Sequence, residues 1–147
     1  MKKWTLAFLR VATGLLLVVW GVIKLGAPEA SIHVSDKYYQ GALSAQQLQM
    51  PLGAAEVLLG LLVVLGLFRR LVYPLQAVVL IVGAAAIWKY LLDPLGMYLL
   101  TEETQNVLFF PSWAMAAASL VLIAFRDEDR LSLDVVLFGK RRTQPSP

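Results

Sequence analysis

The sequence predicts an all-α fold, an integral membrane four-helix bundle, and three observations carry that expectation. Hydrophobic residues make up 59% of the 147-residue chain, against roughly 45–50% in an ordinary soluble domain. Four apolar stretches of helix length recur, at about residues 4–25, 52–68, 71–92 and 107–125, and about 20 apolar residues cross a bilayer core. Charged residues gather near the ends of these stretches, where long side chains reach the interface. Residues 1–147 therefore read as a single membrane domain, with residues 126–147 as a cytoplasmic tail.

The first stretch runs from Trp4 to Leu25. Met1-Lys2-Lys3 has the form of a charged leader start, but the apolar run exceeds the roughly 7–15 residues of a signal peptide, and no A-x-A site follows. It reads as an uncleaved first span. At helical spacing Arg10, Gly14, Leu17, Gly21 and Lys24 share one stripe. Glycines let a neighbouring helix approach closely inside a membrane, so this stripe is expected to face the bundle. Arg10 lies about a turn and a half inside the span, which calls for a specific partner. Lys24, at the very end, either finds one or snorkels.

Gly26 to Met50 reads as a polar loop, long for a membrane connection. Ser44-Ala45-Gln46-Gln47 has capping-box form and predicts a short helix starting with Ser44 as N-cap, bent or restarted at Pro51. Tyr38 and Tyr39 fit an interfacial aromatic belt. His33 is a lone loop histidine, a type usually just solvated.

The second span places Gly53, Glu56, Gly60, Val63 and Leu67 on one face and is closed by Arg69-Arg70. An ionisable group inside such a span marks a functional-site candidate, so Glu56 is the focus of the chain. The third span carries Tyr73, Gln76, Gly83, Trp88, Lys89 and Tyr90 and ends at Asp93-Pro94-Leu95-Gly96. After the acidic connection through Glu102 and Glu103, the fourth span runs from about Val107 to Phe125, with Pro111 near its start and Ser112, Ala116 and Ser119 as its small-residue face. The tail reads as a charge cluster, a short apolar stretch, a basic cap and a disordered end.

Composition removes several chemistries. With no cysteine, thiol–disulfide exchange, iron–sulfur clusters and thiolate metal sites are excluded within this chain. A single histidine, His33, rules out bis-histidine haem and leaves a metal without its usual imidazoles, so no metal site is expected. Any electrons would have to travel on a bound organic cofactor or a partner subunit. The net charge of +3 is no nucleic-acid signal, because the basic residues sit at span ends rather than in one patch. Their distribution does orient the chain. Lys2, Lys3, Arg10, Arg69, Arg70, Arg126, Arg130, Lys140, Arg141 and Arg142 fall on one side, and Lys24, Lys37 and Lys89 on the other. By the positive-inside rule both termini are expected in the cytoplasm, of a multi-pass protein of the inner (cytoplasmic) membrane.

In antiparallel order the polar residues sort into two levels. On the outer side lie Lys24, Glu56 and Lys89, with Trp20, Trp88, Tyr90 and Asn106 around them. Glu56 sits about 7–8 Å below the start of its helix, within reach of lysines on neighbouring helices. On the inner side Arg10 needs an anion, from Asp134 or from Asp127-Glu128-Asp129. The outer level admits two readings: a Lys–Glu clamp fixing helix register, or a site where a quinone-like ring stacks on an aromatic side chain. In the second reading lysine bonds the ring's carbonyl and Glu56 exchanges protons.

A family resemblance follows from the order of several short motifs. They are the early Arg10, Gly21-Val22-Ile23-Lys24-Leu25, the Glu56-to-Gly60 spacing, Leu65-Gly66-Leu67-Phe68-Arg69, and the tail Arg130-Leu131-Ser132-Leu133-Asp134. In these the chain resembles the DoxX family of bacterial and archaeal four-helix membrane proteins, over nearly its whole length. One departure is visible: Asp127-Glu128-Asp129 stand where the family tail often has glycines. The resemblance implies a membrane subunit associated with a thiosulfate:quinone oxidoreductase or with complexes that counter oxidative stress. It also implies Lys24 with Glu56 as the outer pair and Arg10 with Asp134 as the inner pair. The expected function is thus a quinone-interacting membrane subunit of an oxidoreductase system, with no cofactor in the chain beyond a membrane quinone. The alternative is a non-catalytic anchor or assembly factor, and a small-solute permease fits less well. Besides the lipid bilayer, a protein partner or a second copy is expected, and no nucleic acid.

Overall fold

The computed structural model describes residues 1–104 and 106–139. The predicted basic cap and disordered end lie outside the described residues. The order is α1 (Lys2–Gly26), α2 (Pro28–Tyr38), α3 (Gln46–Leu65), α4 (Arg69–Ala86) and α5 (Trp88–Leu92), then a 3-10 turn (Val107–Phe109), α6 (Ser112–Ala124), a second 3-10 turn (Arg126–Glu128) and α7 (Leu133–Phe138). Among the described residues, four segments are long and apolar enough to cross a membrane: α1, α3, α4 and Val107–Ala124. The end formed by the start of α1, the α3–α4 turn and the chain after α6 is called the base. The opposite end is the crown.

The closest pairing is α1 against α3, and glycine makes it possible. Gly14 faces Gly60 and Gly21 faces Gly53, so that a Cβ on Gly60 would lie 2.6 Å from the Gly14 carbonyl oxygen and one on Gly53 would lie 2.9 Å from that of Gly21. No side chain fits between backbones at that separation, the usual basis of close helix packing in lipid. Beside the pair, Leu17, Leu59, Val63, Val72, Tyr73 and Leu122 form the main core. The opposite faces are apolar and open, with Phe8, Leu15 and Val19 on α1, Leu58, Leu61 and Leu65 on α3, and Leu75, Val78 and Val82 on α4. That pattern suits a lipid solvent rather than water.

The α3–α4 turn is built on Gly66, whose φ of 71° closes a Schellman motif: Gly66 N–H bonds to Val63 O and Leu67 N–H to Leu62 O. A Cβ at Gly66 would meet the Ser132 Cβ at 2.5 Å, so the glycine also admits the chain after α6.

Three expectations need correction. The connection from Gly26 to Met50 is not a loop throughout, because α2 occupies Pro28–Tyr38 and α3 already begins at Gln46; Pro28 stands in the first turn of α2, where a missing N–H costs nothing. Ser44 does not cap the next helix. The N-cap position is Ala45, while the Ser44 hydroxyl donates to the Asp36 carboxylate, and Pro51 sits inside a continuous α3. The third span is broken at Ile87 (φ −104°, ψ 27°). The redirected α5 turns Leu91 and Tyr90 onto a second cluster with Ala84, Ile87, Tyr38, Tyr39 and Phe109.

Candidate functional site

At the crown, the α1 stripe carries Lys24 to its last turn and α3 carries Glu56 to the facing turn. The Lys24 Nζ donates to Glu56 Oε2 at 2.9 Å. Lys24 is 7% exposed, and its ammonium also lies 5.8 Å from the Trp20 ring centroid, a cation–π contact strengthened by the dry surroundings. The pair stands in the wall of a cavity of about 550 Å³. Leu16, Leu17 and Trp20 of α1 and Val78 to Ala86 of α4 form its sides, Ser31 and Ser35 of α2 and Tyr39 form its upper end, and Phe109 and Met115 close it on the α6 side. Val78 and Val82, both on the cavity rim, are also exposed on the outer surface of α4. The walls are apolar, with polar atoms concentrated at the crown. Gly83 lines the cavity and has no atom within 4 Å of where its Cβ would be.

The remaining outer-side residues are placed elsewhere. Lys89 is exposed, with its Nζ 5.8 Å from the neighbouring Trp88 ring, and Trp88 is itself exposed. The break at Ile87 rotates both away from the cavity. Tyr90 packs edge-on against Tyr38 and Phe109, at centroid separations of 5.3 Å for Tyr38–Tyr90 and 5.5 Å for Tyr90–Phe109. Asn106 donates to the Tyr38 hydroxyl at 3.3 Å. In place of Trp88 and Tyr90, the aromatic edges of the cavity are Trp20, Tyr39 and Phe109. Burial and then the negative charge of Glu56 push the Tyr39 phenol up, so it is a protonated donor at neutral pH. The sequence signal for α2 was there in Ser31, Ser35 and Tyr39, spaced by four residues on one helical face.

At the base the Arg10 partner is Asp129, which corrects the Arg10–Asp134 pairing. Arg10 Nη1 donates to both Asp129 carboxylate oxygens at 2.7 and 2.8 Å, its Nε to Val64 O at 3.1 Å and its Nη2 to Leu131 O at 3.1 Å. The Tyr73 hydroxyl completes the carboxylate at 2.5 Å. Asp134 instead accepts from the backbone N–H of Phe68 and Arg69, both at 2.9 Å, and from Arg69 Nε at 3.3 Å. The reason is local: the 3-10 turn after α6 folds Asp129 back under α1, while Asp134 opens α7 against the α3–α4 turn. Arg69 also donates to the carbonyls of Arg126 and Asp129, both at 2.7 Å. This knot ties α1, α3, α4 and the chain after α6 together.

The fold and these two buried ionic levels define a multi-pass membrane protein built on a four-helix bundle. Residues 5–89 match the DoxX family model, and the chain belongs to the DoxX family. Comparison with curated proteins and with solved structures returns no match.

Proposed function

We propose that this protein is a membrane subunit of an oxidoreductase system that holds the ring of a lipid-soluble, quinone-like molecule in the crown cavity. The observation that carries this reading is the position of the Lys24–Glu56 pair in the wall of an apolar cavity edged by aromatic rings and rimmed by the exposed face of α4. Binding sites of this kind combine apolar walls with a few convergent polar groups. Lys24 would donate to a ring carbonyl, and Trp20 and Tyr39 would bound the ring. Reducing a quinone takes up two electrons and two protons. With no cysteine in this chain to hold a cluster, the electrons come from a bound organic cofactor or a partner subunit. Glu56 exchanges protons with the crown side. The excess of arginine and lysine at the base supports a cytoplasmic base and an outward crown in an inner membrane.

The 2.9 Å contact also suits a plain helix clamp in an anchor subunit. A fluorescence titration with a short-chain quinone separates the two. Saturable binding by the wild type, weakened about tenfold (~1.4 kcal/mol) in Glu56→Gln, is the expected result. A folded Glu56→Gln variant with reduced thermal stability, and no quinone binding by either protein, would leave the clamp.

A further inference from the structure

Between α5 and the second half of the crown lies a segment of irregular backbone with an unusual anchor. Asp93 is 2% exposed, and its carboxylate accepts from four consecutive backbone N–H groups: Met97 at 2.8 Å, Tyr98 at 2.7 Å, Leu99 at 2.7 Å and Leu100 at 3.1 Å. The side chains of that same stretch point outward, with Tyr98 83%, Met97 66% and Leu99 48% exposed. Trp88 and Leu92 on α5 are exposed as well. From Met97 to Leu100 there is no charge, and the next residues, Thr101 to Thr104, form a hydroxyl-closed turn that displays Glu102 and Glu103.

Depth and chemistry agree on what covers this patch. At 18 residues, α4 rises about 27 Å, close to the ~30 Å of a hydrocarbon core, so the chain beyond α5 reaches the boundary between acyl chains and headgroups. Irregular backbone survives near lipid only where its polar groups are satisfied by the protein. Asp93 does this for four N–H groups in a row, leaving the side chains free to face a non-polar medium. A tyrosine among aliphatic side chains is the composition that settles at such a boundary. We propose that the Met97–Leu100 loop seats in the lipid interface of the crown-side leaflet, with Asp93 as its internal backbone anchor.

The chain has no native cysteine, which allows direct measurement of depth. Tyr98→Cys and, as an aqueous reference, Glu103→Cys are spin-labelled in the full-length protein in phosphatidylcholine vesicles. Collision with dissolved oxygen is then compared with collision with a water-soluble nickel chelate. Oxygen is expected to dominate at position 98 and nickel at position 103. Adding Asp93→Asn, which has a single carbonyl oxygen for the four donors, is expected to shift position 98 towards nickel. Equal nickel accessibility at 98 and 103 would overturn the proposal in favour of an aqueous loop. Low accessibility to both probes at 98 would overturn it in favour of a protein contact. No shift with Asp93→Asn, the bundle remaining helical, would overturn the role of Asp93.

Discussion

Arg10 and Asp129 meet at the most enclosed point of the base, with exposures of 4% and 0%. Arg10 Nη1 meets both carboxylate oxygens, and the bonds of Arg10 to Val64 O and Leu131 O and of the Tyr73 hydroxyl to Asp129 offset the cost of taking both ions out of water. Removing one partner leaves the other charged and alone, at a cost of about 3–5 kcal/mol. Arg10→Ala and Asp129→Ala are therefore each expected to lose that much stability in a denaturant titration, and a double-mutant cycle is expected to show strong coupling between them. Asp134→Ala is expected to couple with Arg69→Ala instead, and coupling of Arg10 to Asp134 greater than to Asp129 would refute the assignment. The need of Arg10 for an anion was legible in its depth along an apolar stretch. Which of the nearby carboxylates supplies it was not, because the irregular residues Arg130 to Ser132 stand between Asp129 and the start of α7 and periodicity says nothing about how such a segment turns. Tyr73 was equally silent: an aromatic residue in an apolar span reads as packing until its hydroxyl is seen on Asp129.

Among the elements, the α1–α3 contact is set by four glycines rather than by a knob-and-hole pattern. Gly60→Leu would drive a side chain into the Gly14 carbonyl and the Val18 backbone. It is expected to lose at least the ~1–3 kcal/mol typical of overpacking, seen as a lowered thermal midpoint. A loss no greater than that of a substitution on the open face of α3, such as Leu61→Ala, would contradict the backbone contact. The Asp93 anchor gives a pH test. Desolvation raises the Asp93 carboxyl, but the hydrogen bonds from Tyr98, Met97, Leu100 and Leu99 outweigh it and hold the group well below the usual carboxylate range. A carboxyl depressed in the folded state contributes stability above its unfolded value of about 3.9 and loses it as pH falls through the folded value. The difference in thermal midpoint between wild type and Asp93→Asn is thus expected to be constant from pH 7 to 5 and to shrink below about pH 4. A difference that instead shrinks as pH rises from 5 to 7 would have the wrong sign. Span positions were legible from apolar length, because that is the one property lipid demands. The break at Ile87 was not, because it depends on tertiary contacts of Tyr90, Leu91 and Phe109 that leave no periodic trace. The helix at Pro28–Tyr38 left only the four-residue spacing of Ser31, Ser35 and Tyr39.

At the scale of the whole molecule, the buried charges among the described residues lie at the two ends of the bundle, and the ends differ in kind. The base is closed, with its charges consumed by one another and by backbone carbonyls. The crown is open, with one ion pair left in the wall of a cavity. That asymmetry supports the proposed reading, in which the base holds the helices in register and the crown cavity takes the ligand. The Lys24–Glu56 pair could be read from the facing glycine stripes that carry it. The cavity beside it could not, since it arises where α4 stands away from α1 and α2. Gly83 offers the most direct test, because a larger side chain there enters open space rather than a neighbouring backbone. The decisive measurement is a short-chain quinone titration on detergent-solubilised Gly83→Leu beside the wild type. Thermal midpoints of both are recorded first. Saturable binding by the wild type is expected, with at least an about tenfold weaker affinity in Gly83→Leu (~1.4 kcal/mol) at unchanged or slightly higher stability. Equal affinity in the two folded proteins would show that the crown cavity is not where the ring sits.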